Sequence, residues 1–185
     1  MTRILTAILI LWASFVLAQN GPATIFEAAR LGDMAALQRF LAMGHDVTEV
    51  DEVGSTLLHL AADGGQSAMA AFLLDQGLDP NAANNDGFTP LHFAAMHGDS
   101  ATASLLIAKG ALVYVRDNNE MTPLHLCALR NSIEVAEVLL SHGADVNDLT
   151  TTLWTPLRVA RYAKNAEIEA WLVEHGAQEN PEEGR

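Results

Sequence analysis

Hydrophobic and polar positions recur along most of this chain with a constant step of 33 residues. Each unit continues from its opening through apolar and small residues to an apolar pair, with a glycine three residues after that pair. Self-similarity at such a period is the signature of a repeat architecture, so the pattern predicts five stacked units. The apolar pairs are Phe40-Leu41, Leu73-Leu74, Leu106-Ile107, Leu139-Leu140 and Leu172-Val173.

The opening of each unit predicts the start of a helix. It reads Thr-Pro-Leu-His in the third and fourth units and is altered in the other three. Threonine can cap a helix, and the fixed φ of proline suits the first turn, where a missing N–H costs nothing. A second helix is predicted after it, over about residues 67 to 76 in the second unit, with more apolar surface than one hairpin can bury. The five openings stand at Ala23, Thr56, Thr89, Thr122 and Thr155.

These motifs resemble those of the ankyrin-repeat family, whose Thr-Pro-Leu-His opening is joined here by the Gly-Ala-Asp-x-Asn ending at Gly143 to Asn147. The resemblance implies an all-α ankyrin-repeat solenoid of five helix-turn-helix units with β-hairpin-like loops. Glu27, Arg161 and Lys164 replace apolar or small residues of the inner units, as polar caps at the two ends would require. The expected units are residues 23–50, 51–83, 84–116, 117–149 and 150–177, followed by an acidic tail at 178–185.

The first residues predict export. A short positive start containing Arg3 precedes an apolar run from Ile4 to Leu17, which is typical of a secretory signal peptide at residues 1–18, cleaved after Ala18. The alternative, a membrane anchor, is disfavoured because about 20 apolar residues are needed to span a bilayer. Residues 19–22 would then be a linker. The chain has no Asn-x-Ser/Thr sequon, which favours a bacterial periplasm, with full secretion as the alternative.

Charge and cysteine content narrow the class of partner. Loss of residues 1–18 removes Arg3 and no acid, leaving 9 basic against 23 acidic residues and a net charge of −14. Nucleic acid and anionic membranes would repel such a chain.

Cys127 is the only cysteine, so no internal disulfide can form and packing alone must hold the fold. We expect a monomer without a cofactor or stable membrane insertion.

The residues with reactive side chains have structural explanations. His59, His92 and His125 occupy the histidine position of the repeat, where the family resemblance implies hydrogen bonds between units. Cys127 stands at a position that is alanine in the units before it, which predicts a small buried side chain. Since no paired carboxylates, phosphate loop or nucleophile motif is found, we expect neither a catalytic site nor a metal site.

The positions that the repeat leaves free are candidates for binding a partner. Three consecutive units place a large apolar residue directly before the opening threonine, on what should be a projecting hairpin tip, and the first-helix ends add further apolar and basic residues. Such a strip is typical of an interface, although these residues could instead pack on the neighbouring hairpin. The candidates are Phe88, Met96, His97, Met121, Leu129, Arg130, Trp154 and Tyr162.

Two of these hairpins lack the glycine found at Gly54 and Gly87, having Glu120 and Leu153 instead, so their geometry is left open. The hypothesis is an exported, non-catalytic adaptor that binds a protein partner through its concave face. A host-directed secreted effector is one alternative. Another is a carrier of haem, a metal or a small ligand, using Met96, His97 and Met121.

Overall fold

The computed structural model describes residues 21–178, which form ten helices in five antiparallel pairs and contain no extended strand. This confirms the expected all-α solenoid. In chain order the helices are α1 (Ile25–Leu31), α2 (Met34–Ala42), α3 (Leu57–Asp63), α4 (Ser67–Asp75), α5 (Pro90–His97), α6 (Ser100–Ala108), α7 (Pro123–Arg130), α8 (Ile133–Ser141), α9 (Pro156–Ala163) and α10 (Ala166–Glu174).

Threonine starts the first helix of every unit, as the sequence predicts. In α3, α5 and α7 the threonine side chain and the histidine three residues later cap each other's backbone groups. The first unit begins one residue later than the repeat step indicates, since Thr24 is the cap and its Oγ1 accepts from the N–H of Glu27 at 3.1 Å. Ala23 has no side-chain oxygen and cannot replace it.

The odd-numbered helices form an inner layer and the even-numbered helices an outer layer. Each inner helix packs on the inner helices of the adjoining units, and fully buried alanines such as Ala61 and Ala94 allow this close approach. One continuous core runs between the layers, with Leu73, Leu106 and Leu139 fully buried in the outer helices of successive units. Burial is therefore shared along the stack, as in other repeat architectures.

A tight hairpin precedes each of the last four inner helices. The backbone N–H of its first residue donates to the carbonyl oxygen of the residue four positions later. The N···O distance is 3.0 Å for Asp51, 2.9 Å for Asn84, and 3.0 Å for both Asp117 and Thr150. Glu120 and Leu153 keep the left-handed backbone of Gly54 and Gly87, with φ of 63° and 61° against 77° and 80°. The hairpin geometry is thus preserved in the fourth and fifth units, at the strain cost of a side chain at positive φ.

Three buried histidines join each unit to the next. The backbone N–H of the opening threonine donates to Nδ1 of His59, His92 and His125, so Nε2 carries the proton in the neutral ring. Nε2 of His59 then donates to the carbonyl of Phe88 at 3.0 Å. The two following bonds run from His92 to Met121 at 3.2 Å and from His125 to Trp154 at 3.0 Å. These bonds confirm the role that the family resemblance implies.

The two ends of the stack differ in polarity. Glu27 is exposed at the first, and at the last the exposed Arg161 pairs with Glu169 at 2.9 Å. The first unit nevertheless leaves Leu31 and Met43 largely exposed, so its outer surface is more apolar than a fully polar cap would be. Within residues 21–178, no helix combines the length and hydropathy that crossing a bilayer requires. The expected signal peptide and most of the acidic tail lie outside the described residues.

Replacing Leu106 with alanine should lower the free energy of unfolding by about 2 to 5 kcal/mol, because the fully buried side chain would leave a cavity between units. Urea denaturation of the two proteins measures this difference. Leu112→Ala is the control, since that leucine is 42% exposed and should cost much less. Equal losses in the two variants would contradict this placement of the core.

The histidine bonds predict a stack that loses stability in acid. Burial is the main cause that lowers the pKa of His59, His92 and His125, in His92 from 6.5 to about 4. As the pH falls, these histidines are protonated in the unfolded chain before they are protonated in the folded chain. The stability due to neutral histidines is therefore fully present above pH 6.5 and is lost towards pH 4. The free energy of unfolding falls by up to about 1.4 kcal/mol per pH unit for each histidine.

Urea denaturation between pH 7.5 and 4.5 would show this slope. The slope of the free energy of unfolding against pH reports the number of protons taken up on unfolding. In His92→Gln that number should be smaller by about one, even though the variant is less stable at every pH. A free energy of unfolding that is unchanged across the range would contradict the prediction.

Candidate partner-binding groove

The hairpins of the second, third and fourth units are bonded tip to tip. The N–H of Asn85 donates to the carbonyl of Val53 at 2.9 Å, and the N–H of Asn118 donates to that of Asp86 at 3.0 Å. Within residues 21–178, no equivalent backbone bond joins the tip of the fourth hairpin to that of the fifth. The row of hairpins therefore opens at this last junction.

The side chain of Glu120 explains the opening. A Cβ on Gly54 would lie 2.6 Å from Oδ1 of Asn85, and one on Gly87 would lie 2.8 Å from the backbone nitrogen of Asn118. The next hairpin can approach so closely only because those tips have no side chain. Glu120 holds the same left-handed position with a Cβ, which excludes that approach and separates the fifth hairpin from the fourth.

A groove with a volume of about 240 Å³ occupies the resulting space. Its lining is mostly apolar, and the two hairpins contribute hydroxyl and amide side chains to it. Four of the eight residues predicted from the sequence meet here, namely Met121, Leu129, Trp154 and Tyr162. The full lining is Asn119, Met121, Leu129, Thr150, Thr152, Trp154, Val159 and Tyr162.

Trp154 is fixed from three sides. Its ring meets that of Tyr162 edge to face, with centroids 5.3 Å apart. The guanidinium of Arg158 lies over the indole at 4.8 Å from the ring centroid. Its carbonyl accepts the bond from His125 that joins the fourth and fifth units. A tryptophan held in this way loses little freedom on binding, which favours affinity.

The apolar residues before the threonines are less exposed than a projecting tip would make them. Phe88, Met121 and Trp154 are half-buried and pack on the core. Phe88 contacts the ring of His92 and that of Phe93, with centroids 5.6 and 5.8 Å away, and does not line the groove. Phe88 therefore packs on side chains of α5, the helix that follows it in the same unit.

The predicted residues of the third unit lie in a different setting. Nε2 of His97 and Nε of Arg30 contact the two carboxylate oxygens of Asp63, at 2.7 and 2.8 Å. Met96 packs on the core, and neither Met96 nor His97 lines the groove. Among residues 21–178, no group of three or more histidine, cysteine or acidic side chains is arranged to hold a metal ion.

Four lining residues were not predicted from the sequence: Asn119, Thr150, Thr152 and Val159. Asn119 and Thr152 are the third residues of their hairpins. They would have been found if polar as well as apolar residues at the hairpin tips had been considered. Val159 lies one turn before Tyr162 on α9, within the same helical face. Arg158 could have been found from its position four residues after Trp154.

The thiol of Cys127 is not accessible. Cys127 is fully buried, and burial raises the pKa of its thiol, so the reactive thiolate is disfavoured. A second concavity, of about 550 Å³, lies at the junction of the first and second units and includes Phe26, Val50 and Val53. It is also lined by Asp51 and Glu52 and has no tryptophan or tyrosine. The groove beside Trp154 is the better candidate for binding another molecule.

Comparison with known families agrees with the fold and the repeat. The chain matches the family described as ankyrin repeats (3 copies) over residues 25–117 and again over residues 102–183. Together these matches cover most of the chain, which therefore belongs to the ankyrin-repeat family. Members of this class generally act as scaffolds for interaction between proteins. A search of curated proteins gives no significant match.

Proposed function

We propose that this chain is a non-catalytic adaptor that binds a protein partner in the groove at the junction of the fourth and fifth units. The observation that carries the proposal is the contacting pair of Trp154 and Tyr162 in a mostly apolar groove. Tryptophan, tyrosine and arginine are the residue types that most often dominate binding energy at protein interfaces. Tyr162 is 73% exposed and thus accessible to a partner.

The size of the groove favours a protein over a small ligand. Sites for cofactors and drug-sized ligands have volumes of about 300 to 1,000 Å³ and enclose most of the ligand. The groove holds about 240 Å³, enough for one or two anchor side chains of a larger molecule. Its lining contains no histidine, cysteine or acidic residue, the side chains that most often act as general acids, general bases or nucleophiles.

Export forms part of the proposal and rests on residues 1–18. In the bacterial setting proposed here, fractionation of cells expressing the full chain with a C-terminal tag should place the protein in the periplasm, shortened by those residues. Mass spectrometry of the released protein would give its first residue, expected to be Gln19. Full-length protein found only in the cytoplasm would contradict export, and protein found mainly in the culture medium would favour full secretion.

Tyr162→Ala should weaken partner binding by about 2 kcal/mol, or roughly thirtyfold, because it removes an aromatic anchor from the groove. Stability should change little, since that side chain is mostly exposed. The measurement is quantitative capture of partners by the immobilised parent and variant from extracts of the compartment in which the chain is found. Trp154→Ala should weaken binding as well but should also lower stability, because the indole is half-buried.

The chain supplies a matched control. Tyr114 is the only other tyrosine, is 62% exposed and lies on the loop after α6, outside the groove lining. Tyr114→Ala should capture the same partners as the parent. If Tyr162→Ala does so as well, the groove is not the binding site.

A further inference from the structure

An arginine precedes the fourth hairpin at a position that is apolar before the other hairpins. The residues directly before the first residue of each hairpin are Val50, Ala83, Arg116 and Leu149. Glu120, at the tip of the fourth hairpin, also departs from the repeat. Within residues 21–178, both departures fall on the hairpin whose tip forms no backbone bond with the next one. This coincidence points to a shared role at the junction of the fourth and fifth units.

The guanidinium of Arg116 connects the fourth hairpin to the fifth. Its Nη1 donates to the carbonyl oxygen of Glu120 at 3.1 Å, at the tip of the fourth hairpin. The same nitrogen donates to the carbonyl oxygen of Leu149 at 2.8 Å, directly before the fifth hairpin. Its Nη2 donates to the carboxylate of Asp148, the residue before Leu149. One planar group thus holds acceptors on both sides of the junction in a fixed arrangement.

The surroundings of this contact favour a lasting connection. The side chains of Arg116 and Asp148 are only 35% and 20% exposed, so solvent and salt screen their interaction less than that of a fully exposed pair. Hydrogen bonds between ionised groups are also stronger than those between neutral groups. The contact is therefore suited to fixing the distance between the two hairpins.

The fifth hairpin is attached on both of its arms. His125 donates to the carbonyl of Trp154 at 3.0 Å, on the arm that leads into α9. Arg116 holds the carbonyl of Leu149, where the chain enters the other arm. A hairpin with one attachment can pivot about it, whereas attachments on both arms prevent that movement. Because the Cβ of Glu120 keeps the two tips from approaching, Arg116 and Glu120 limit the width of the groove in opposite directions.

We propose that Arg116 is a positioning residue for the groove, which fixes the wall formed by the fifth hairpin in the arrangement that admits a partner side chain. The inference rests on the proposed function and assigns a role in it to a residue outside the groove lining. Arg116 acts through Thr150 and Thr152, lining residues that follow the carbonyl it holds. Affinity increases when the bound geometry already exists in the free protein, so loss of this connection weakens binding without removing a contact to the partner.

Fluorine NMR of the full chain labelled with fluorotryptophan tests the position of this wall. Trp154 and Trp171 both belong to the fifth unit, but of the two only Trp154 lines the groove, since Trp171 stacks on His175 at the end of α10. The variants Trp154→Phe and Trp171→Phe identify the two resonances. In Arg116→Ala the resonance of Trp154 should shift and broaden, because the wall beside it then moves, while that of Trp171 should stay as in the parent. Equal changes in both would show loosening of the whole last unit and would overturn a positioning role.

Peptide affinity tests the consequence for binding. The probes are dodecapeptides selected from a phage-displayed random library on the immobilised full chain, and kept only if Tyr162→Ala weakens their binding. Measured by fluorescence anisotropy, their affinity should fall about tenfold in Arg116→Ala. The matched control is Arg30→Ala, because Arg30 also pairs with a carboxylate of the following unit, that of Asp63 at 2.8 Å, but at the other end of the stack. That variant should bind the probes as the parent does.

The outcomes separate this inference from the proposed function. Probes that bind Arg116→Ala as tightly as the parent, or a Trp154 resonance that is unchanged, would overturn the role of Arg116 and leave the groove as a binding site. Equal weakening in Arg30→Ala would overturn it as well, because loss of any pair between units would then suffice. If selection yields no peptide whose binding depends on Tyr162, the groove itself is contradicted, and the inference with it.

Discussion

The hydrogen bond from a buried histidine to a carbonyl of the next unit is the interaction on which this architecture depends. It uses both ring nitrogens, because one accepts from the threonine that starts the inner helix and the other donates across the junction. A buried polar group lowers stability unless it is hydrogen-bonded. This bond therefore fixes the position of each hairpin relative to the inner helix of the preceding unit. At the last junction, the acceptor is the carbonyl of Trp154. The bond that holds the stack together thus also sets the position of the groove's main aromatic residue.

The groove exists because the repeat is interrupted at one point while its backbone is kept. Glu120 retains the left-handed turn of the glycines before it, but its side chain prevents the tip-to-tip bond that joins the earlier hairpins. A position of this kind costs about 1 kcal/mol or more of strain in a fold that could use glycine without that cost. Departures from local consistency that persist in this way are typical of functional sites. Here the departure turns a continuous row of hairpins into a row with one opening.

The sequence was sufficient to predict the stack, because its determinants are local and repeated. Threonine caps, paired alanines and histidines occur with a constant step, and each has one physical role at its position. The groove was predicted only in part. The sequence showed that Trp154 and Tyr162 are free of the repeat, but not that the tip of the fourth hairpin lacks its bond to the fifth, since this depends on the distance between two backbones. The likeness of Phe88 to Trp154 in sequence also concealed their different surroundings, because Phe88 packs on His92 and Phe93 whereas Trp154 faces the opening.

The position of the groove at the last junction has a consequence for how the stack opens. In a linear array each unit is stabilised only by its neighbours, so the terminal pair α9 and α10 has one neighbour and should separate more readily than the central units. A molecule seated between Trp154 and Leu129 would touch both sides of that junction and would be released if the last unit came away. Occupancy and the closed state of the last unit are therefore thermodynamically linked, so that a bound segment slows amide exchange in α9 and α10 while leaving α1 to α4 nearly unchanged. A partner bound in the groove would then also stabilise the last unit of the array against opening.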